Sequence, residues 1–125
     1  MEWYGSIHNH SEYSNFRLRD SINRIADMVD YAMELGHNFI AITEHETIAS
    51  ALEAQKIEKQ AREKDPSFKI IRGNEIYLCR NGLNQDNFIK GEDKYFHFIL
   101  LAKDEIGHKQ IREISTRAWL RSYKG

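Results

Sequence analysis

The chain has 125 residues, 41% of them hydrophobic, which is the size of one globular domain with a modest core. Eighteen Lys and Arg against nineteen Asp and Glu give a net charge of −1, which excludes a global electrostatic footprint for nucleic acid or anionic membrane and leaves only local polyanion contacts. No apolar run approaches the roughly 20 residues of a membrane span, the amino terminus lacks a signal-peptide pattern, and the single cysteine excludes an intramolecular disulfide. The sequence therefore reads as cytoplasmic with no membrane partner, and Cys79 as a buried apolar residue.

Trp3 to His8 reads as a short strand, followed by a polar loop through Arg19 rich in turn-forming Asn and Ser. Ile22, Ile25, Val29 and Ala32 then fall at helical spacing, with Ser21 or Asp20 as N-cap and Gly36 as the stop. Phe39 to Thr43 is a compact apolar run, short enough for a buried strand, and it ends at Thr43-Glu44-His45-Glu46. A second helix is expected from about Thr47 to Lys64, with Ile48, Ala51, Leu52 and Gln55 on its inner side, Glu53, Lys56, Glu58, Lys59 and Glu63 on a solvated face, and Pro66 closing the segment. Phe68 to Ile71 and Glu75 to Cys79 are extended on either side of Gly73. The polar stretch Arg80 to Lys94 reads as a long loop, of the kind that is often functional in a compact domain. Phe96 to Ala102 is a further apolar strand, and from Asp104 onward Ile106, Ile111, Ile114, Ala118 and Leu120 predict a final helix. About four strands and three helices in alternation predict an α/β architecture with parallel strands, either an open sheet or a barrel stopped part way.

Parallel α/β proteins place chemistry at the carboxyl ends of their strands. His8 and His10, at positions i and i+2 of an extended segment, share one face and can reach one metal ion. His45 follows the second strand directly and Glu75 follows the glycine of the third extended stretch, where a carboxylate among imidazoles is suited to bridging two divalent cations. Asp20 ends the first long loop. Taken singly, each of these is ordinary: a His-x-His pair occurs by chance, and an acid alone is by default a surface residue. The conjunction at one end of the strands carries the weight. His97 stands near the start of its strand, the wrong end in a simple parallel arrangement, and its apolar setting reads as a hydrogen-bonded core histidine. His37, after a helix-ending glycine, and His108, near a helix start, read as exposed or capping residues, and Arg17, Arg19 and Arg72 as solvated charges that are also candidates for phosphate contact.

The segments His8-Asn9-His10-Ser11-Glu12-Tyr13-Ser14, Asp20-Ser21, Ile42-Thr43-Glu44-His45, Gly73-Asn74-Glu75-Ile76-Tyr77 and His97 through Leu101-Ala102-Lys103 together resemble the amino-terminal part of the PHP (polymerase and histidinol phosphatase) domain of a bacterial or phage C-family DNA polymerase III alpha subunit. Ser115-Thr116-Arg117-Ala118-Trp119 also looks like the polymerase branch rather than the stand-alone phosphatases. The resemblance implies an α/β fold, a distorted barrel of seven βα units of which residues 1–125 form a truncated amino-terminal part. It also implies a cluster of up to three zinc, manganese or iron ions that hydrolyses phosphoesters. Carried over position by position, His8, His10, Asp20, His45, Glu75 and His97 match metal-ligand positions, with His8, His10, His45 and Glu75 as the catalytic set. Two departures stand out: the usual Thr-Asp-His reads Thr43-Glu44-His45, and Asp20 is displaced by a few residues from the commonest spacing.

The activity implied is a metal-dependent 3′ to 5′ exonuclease that proofreads, acting on a DNA 3′ end with the remaining polymerase domains as partners. A catalytically inactive scaffold for the polymerase and a stand-alone phosphatase for a small phosphate monoester are the alternatives. Further ligands that a full cluster draws from later strands are expected beyond position 125, which would leave this piece with weak metal binding and an open strand edge capable of self-association.

Overall fold

The computed structural model describes residues 4–16, 19, 21–79 and 95–122. In chain order the elements are β1 (Gly5–Ser6), a 3₁₀ turn (Glu12–Phe16), α1 (Ile25–Glu34), β2 (Phe39–Ile42), α2 (Ala51–Lys64), β3 (Lys69–Cys79), β4 (Tyr95–Leu101) and α3 (Glu105–Ser122). The strands form one curled sheet in the order β1-β2-β3-β4, an α/β arrangement consistent with part of a PHP-type barrel. The expected polar loop over Arg80 to Lys94 lies outside the described residues.

α1 places Ile25, Val29 and Ala32 on the sheet and stops at Gly36, whose φ of +75° suits a residue without Cβ. There the amides of Gly36 and His37 turn back to the carbonyls of Met33 and Ala32 at 3.0 and 2.9 Å, closing a Schellman motif. Ile22 falls outside the helix and is 93% exposed. Ser21 does not cap it, because the Ser21 backbone is tied to the Asn15 amide on both sides. α2 corrects the expected inner side: Ala54, Ile57 and Ala61 are buried while Leu52 is 81% exposed and Gln55 also faces solvent. The helix starts at Ala51, later than the pattern suggested.

The core lies between these two helices and one face of the sheet, with Ile40 and Ile42 of β2, Ile70 of β3 and Phe68 just before it packed beneath α1 and α2. The two extended stretches around Gly73 are one continuous strand. Gly73 is needed where β4 crosses closely, since a Cβ there would lie 2.6 Å from the Leu100 carbonyl oxygen and 2.8 Å from Thr43 Cγ2.

β1, β2 and β3 are parallel, but β4 runs antiparallel to β3, which corrects the all-parallel expectation. The β3–β4 ladder pairs Gly73 with Leu101 through Cys79 with Tyr95, so the two strands run in opposite directions. α3 buries His108, Ile111 and Ser115 and leaves Ile106 and Leu120 exposed, so His108 belongs to its inner strip rather than to its surface. Cys79 is half-buried rather than buried. β4 ends the strand order among the described residues and leaves Phe96 and Phe98 exposed.

Phe68→Ala should cost about 3–5 kcal/mol in urea unfolding because its ring is wholly enclosed, whereas Leu52→Ala should move stability by less than about 0.5 kcal/mol.

Candidate metal centre

β1 ends at Ser6, short of the expected strand, yet the alternation that placed His8 and His10 together persists in the irregular segment that follows. Asn9 is the reason. Its backbone amide donates to Thr43 Oγ1 at 3.0 Å, its side-chain amide to the Ala41 carbonyl at 2.9 Å, and its own carbonyl accepts the Thr43 amide at 2.9 Å. With Asn9 pinned to β2, its two neighbours point the other way, and the Nε2 atoms of His8 and His10 lie 3.2 Å apart.

His45 stands just past β2 and pairs with Glu75 of β3 in an isolated parallel bridge. The reversal of β4 settles the objection to His97. In an antiparallel strand the start lies at the finish of its neighbour, so His97 sits opposite Tyr77, two residues from Glu75. It is not a core histidine, since its side chain is 57% exposed.

These elements converge on Glu75, which is 2% exposed. Its Oε2 lies 2.8 Å from His8 Nε2, 2.6 Å from His10 Nε2 and 3.6 Å from His45 Nδ1, while its Oε1 is hydrogen-bonded to His97 Nδ1. Burial pushes the Glu75 carboxyl up, but the hydrogen bonds with His97 and His8, the charge of His45 and the hydrogen bond with His10 outweigh it and hold it at about 2. It is therefore an anion at neutral pH. Two sets of donor atoms result, His8-His10-Glu75 and His45-Glu75-His97, sharing one carboxylate.

The donor chemistry fits a divalent transition ion, which imidazole and carboxylate bind together. Bonds of roughly 2.0–2.2 Å place neighbouring tetrahedral donors roughly 3.3–3.5 Å apart. The Glu75 contacts of 2.6 to 3.6 Å bracket that spacing.

Glu44, the departure from Thr-Asp-His, has a different task. It is 1% exposed, and its carboxylate accepts the Ser11 hydroxyl, the Ser11 amide at 3.1 Å and the Ser14 hydroxyl at 2.5 Å. Ser14 Oγ in turn accepts the His45 amide at 3.1 Å. The long side chain thus ties the 3₁₀ turn to the strand end that carries His45.

Of the residues singled out from sequence, His8, His10, His45, Glu75 and His97 come together, and Asp20 and Arg17 lie outside the described residues. Arg72 is not at this centre. By strand alternation it faces the other side of the sheet from Glu75, where it pairs with Glu58 at 3.6 Å and Glu105 at 3.2 Å. Sequence reasoning passed over Asn9, Ser11, Ser14 and Asn74 as supports. Asn74 carried a usable signal: an asparagine inside a strand, on the face shared with Ile70, is costly unless its amide is satisfied.

Glu44→Ala should destabilise the chain by about 3 kcal/mol in thermal or urea unfolding, because it strands two buried serine hydroxyls and an amide.

A model of the PHP domain family matches residues 6–125. Over 121 residues, 93% of this chain, the sequence is 36% identical both to a probable DNA polymerase, YorL, of Bacillus subtilis (strain 168) and to a DNA-directed DNA polymerase of Bacillus phage SPbeta. It is 30% identical over 121 residues, 94% of the chain, to the DNA polymerase III subunit alpha of Borreliella burgdorferi. The chain spans only 9% of the length of the first two relatives and 10% of the third. With the sheet, the strand-end histidines and these matches in agreement, the chain belongs to the PHP domain family, in the form related to DNA polymerase III alpha subunits.

Proposed function

We propose that this chain is the metal-binding, amino-terminal part of a phosphoesterase domain that, in a full-length polymerase, removes nucleotides from DNA 3′ ends as a proofreading exonuclease. The observation that carries this reading is the buried Glu75 carboxylate, engaged through one oxygen by His8 and His10 and through the other by His97. His8, His10 and Glu75 would hold one divalent cation and His45, Glu75 and His97 another, with Asp20 as the candidate ligand to a third. Zinc, manganese and iron all accept this donor set. Such ions, when bound, neutralise phosphodiester charge and lower the pKa of water.

The protein's own contribution is placement. His45 and Glu75 are nearly enclosed and fix the inner side of the centre, while His8 and His97 are 51% and 57% exposed and face the approach of a substrate. Beside His8 and His10 a cavity of about 320 Å³, bordered by Ser21, Asn23 and Met28, offers room for a terminal nucleotide. The matched relatives named above are DNA polymerases about ten times the length of this chain, which favours a DNA end over a small phosphate monoester, and the other polymerase domains as partners. No described helix is long and apolar enough to cross a membrane, in keeping with action on DNA in the cytoplasm.

Elemental analysis, together with release of a 3′-terminal nucleotide from labelled DNA, tests the reading on the wild-type full-length polymerase and on its His10→Ala variant. Metal should accompany the wild type, and His10→Ala should weaken its binding by about tenfold or more and remove any cleavage the chain performs. A wild type that binds none of zinc, manganese and iron and cleaves nothing would instead mark the histidine cluster as a hydrogen-bonded scaffold.

A further inference from the structure

Among the described residues Glu46 is the one non-glycine with a positive φ, +55°. It directly follows His45. A residue with a Cβ takes this left-handed conformation only when its surroundings impose it.

Here the surroundings are hydrogen bonds to nearly every backbone group of the turn. The Asn74 side-chain amide donates to the Glu44 carbonyl at 2.8 Å and to the Thr47 carbonyl at 2.9 Å, bracketing Glu46 from both sides. The Trp119 indole Nε1–H donates to the Glu46 carbonyl at 2.6 Å from 73 residues away in the chain. The Glu46 amide donates to the Glu75 carbonyl at 2.8 Å, and the Glu75 amide to the Glu44 carbonyl at 2.9 Å. Asn74 is fully buried, and both bonds of its amide group go to this turn.

We propose that Asn74 and Trp119 are positioning residues: they clamp Glu46 in the left-handed conformation and so set the His45 ring against Glu75. With Glu46 left-handed, its carbonyl and that of Thr47 reach Trp119 and Asn74 while its amide stays on the Glu75 carbonyl, so His45 keeps its bridge to Glu75, with its ring centroid 4.0 Å from that of His10 and 5.8 Å from that of His97. If Glu46 relaxed to the right-handed region, the Glu46 and Thr47 carbonyls would swing away from Trp119 and Asn74, and with those partners held, the strain would fall on the His45 bridge to Glu75. α3 thereby acquires a role beyond covering the sheet, since its Trp119 reaches the strand end that carries a candidate ligand. The consequence for metal rests on the metal-centre reading above; the clamp itself does not.

The test uses the 125-residue chain with Trp119→Phe and Asn74→Asp, and Trp119→Phe combined with Glu46→Gly. Asn74 is enclosed, so Trp119→Phe, at a position 41% exposed, carries the test if Asn74→Asp does not fold. In the metal-free chain the intraresidue amide-to-Hα NOE of Glu46 is strong only while φ is positive, and it should weaken in either variant. Titration with Co²⁺, followed by visible absorption, should show binding weakened about tenfold with an altered band in either variant. That loss should shrink when Trp119→Phe is placed in the Glu46→Gly background, because glycine takes this φ without the clamp. An unchanged NOE overturns the clamp. A weakened NOE with unchanged Co²⁺ affinity and spectrum, or an equal loss in both backgrounds, overturns its effect on His45. A wild-type chain that binds no Co²⁺ overturns the metal-centre reading instead, and the NOE then decides the clamp alone.

Discussion

The rest of the structure turns on one buried carboxylate. Glu75 sits in the middle of β3, nearly sealed from water, a position that would raise its pKa and favour the neutral acid if nothing compensated. Imidazoles arriving from three other places in the chain reverse that balance and hold it ionised, with its pKa at about 2. An anion kept in such a pocket needs partners on both oxygens, and each partner constrains an element. His8 and His10 reach it from the segment after β1, His45 from the end of β2, and His97 from β4.

The sheet serves this arrangement by dividing its two faces. One face carries Ile40, Ile42 and Ile70 against α1 and α2, where stability is a matter of excluded water and close packing. Glu75 lies on the opposite face because strand side chains alternate, and Gly73, two residues before it on that same face, omits a side chain so that β4 can close over the strand. Asn74 sits between them on the helix-covered side, and its amide reaches the loop after β2 rather than the core. Three consecutive residues of β3 thus do three different things. A shift in register by one residue would exchange them all.

Around the histidines lies a set of polar bonds that hold backbone rather than touch the centre. Glu44 binds Ser11 and Ser14, Asn9 binds β2, and Trp119 binds the carbonyl of Glu46. Imidazoles in irregular segments would otherwise keep many rotamers, and the entropy of fixing them would fall on any ligand they bind. Anchoring the backbone on both sides of His45 and between His8 and His10 removes much of that cost before a ligand arrives.

Periodicity and residue chemistry by themselves determined that the chain alternates strands and helices and where α1 ends, and they marked His8, His10, His45 and Glu75 as candidate ligands at strand ends. These are local properties: Gly36 ends a helix through its own φ, and the spacing of Ile25, Val29 and Ala32 states a face without reference to any partner. Only the tertiary structure decided the direction of β4, the inner side of α2, the enclosure of His108, and the meeting of His8, His10 and His45 at one Glu75 oxygen with His97 at the other. Each of these depends on contacts between residues far apart in the chain, whose energies no local pattern records. His97 shows the difference most directly: its neighbours in sequence are apolar and argue for the core, while the antiparallel pairing that sets it beside Tyr77 turns it toward Glu75.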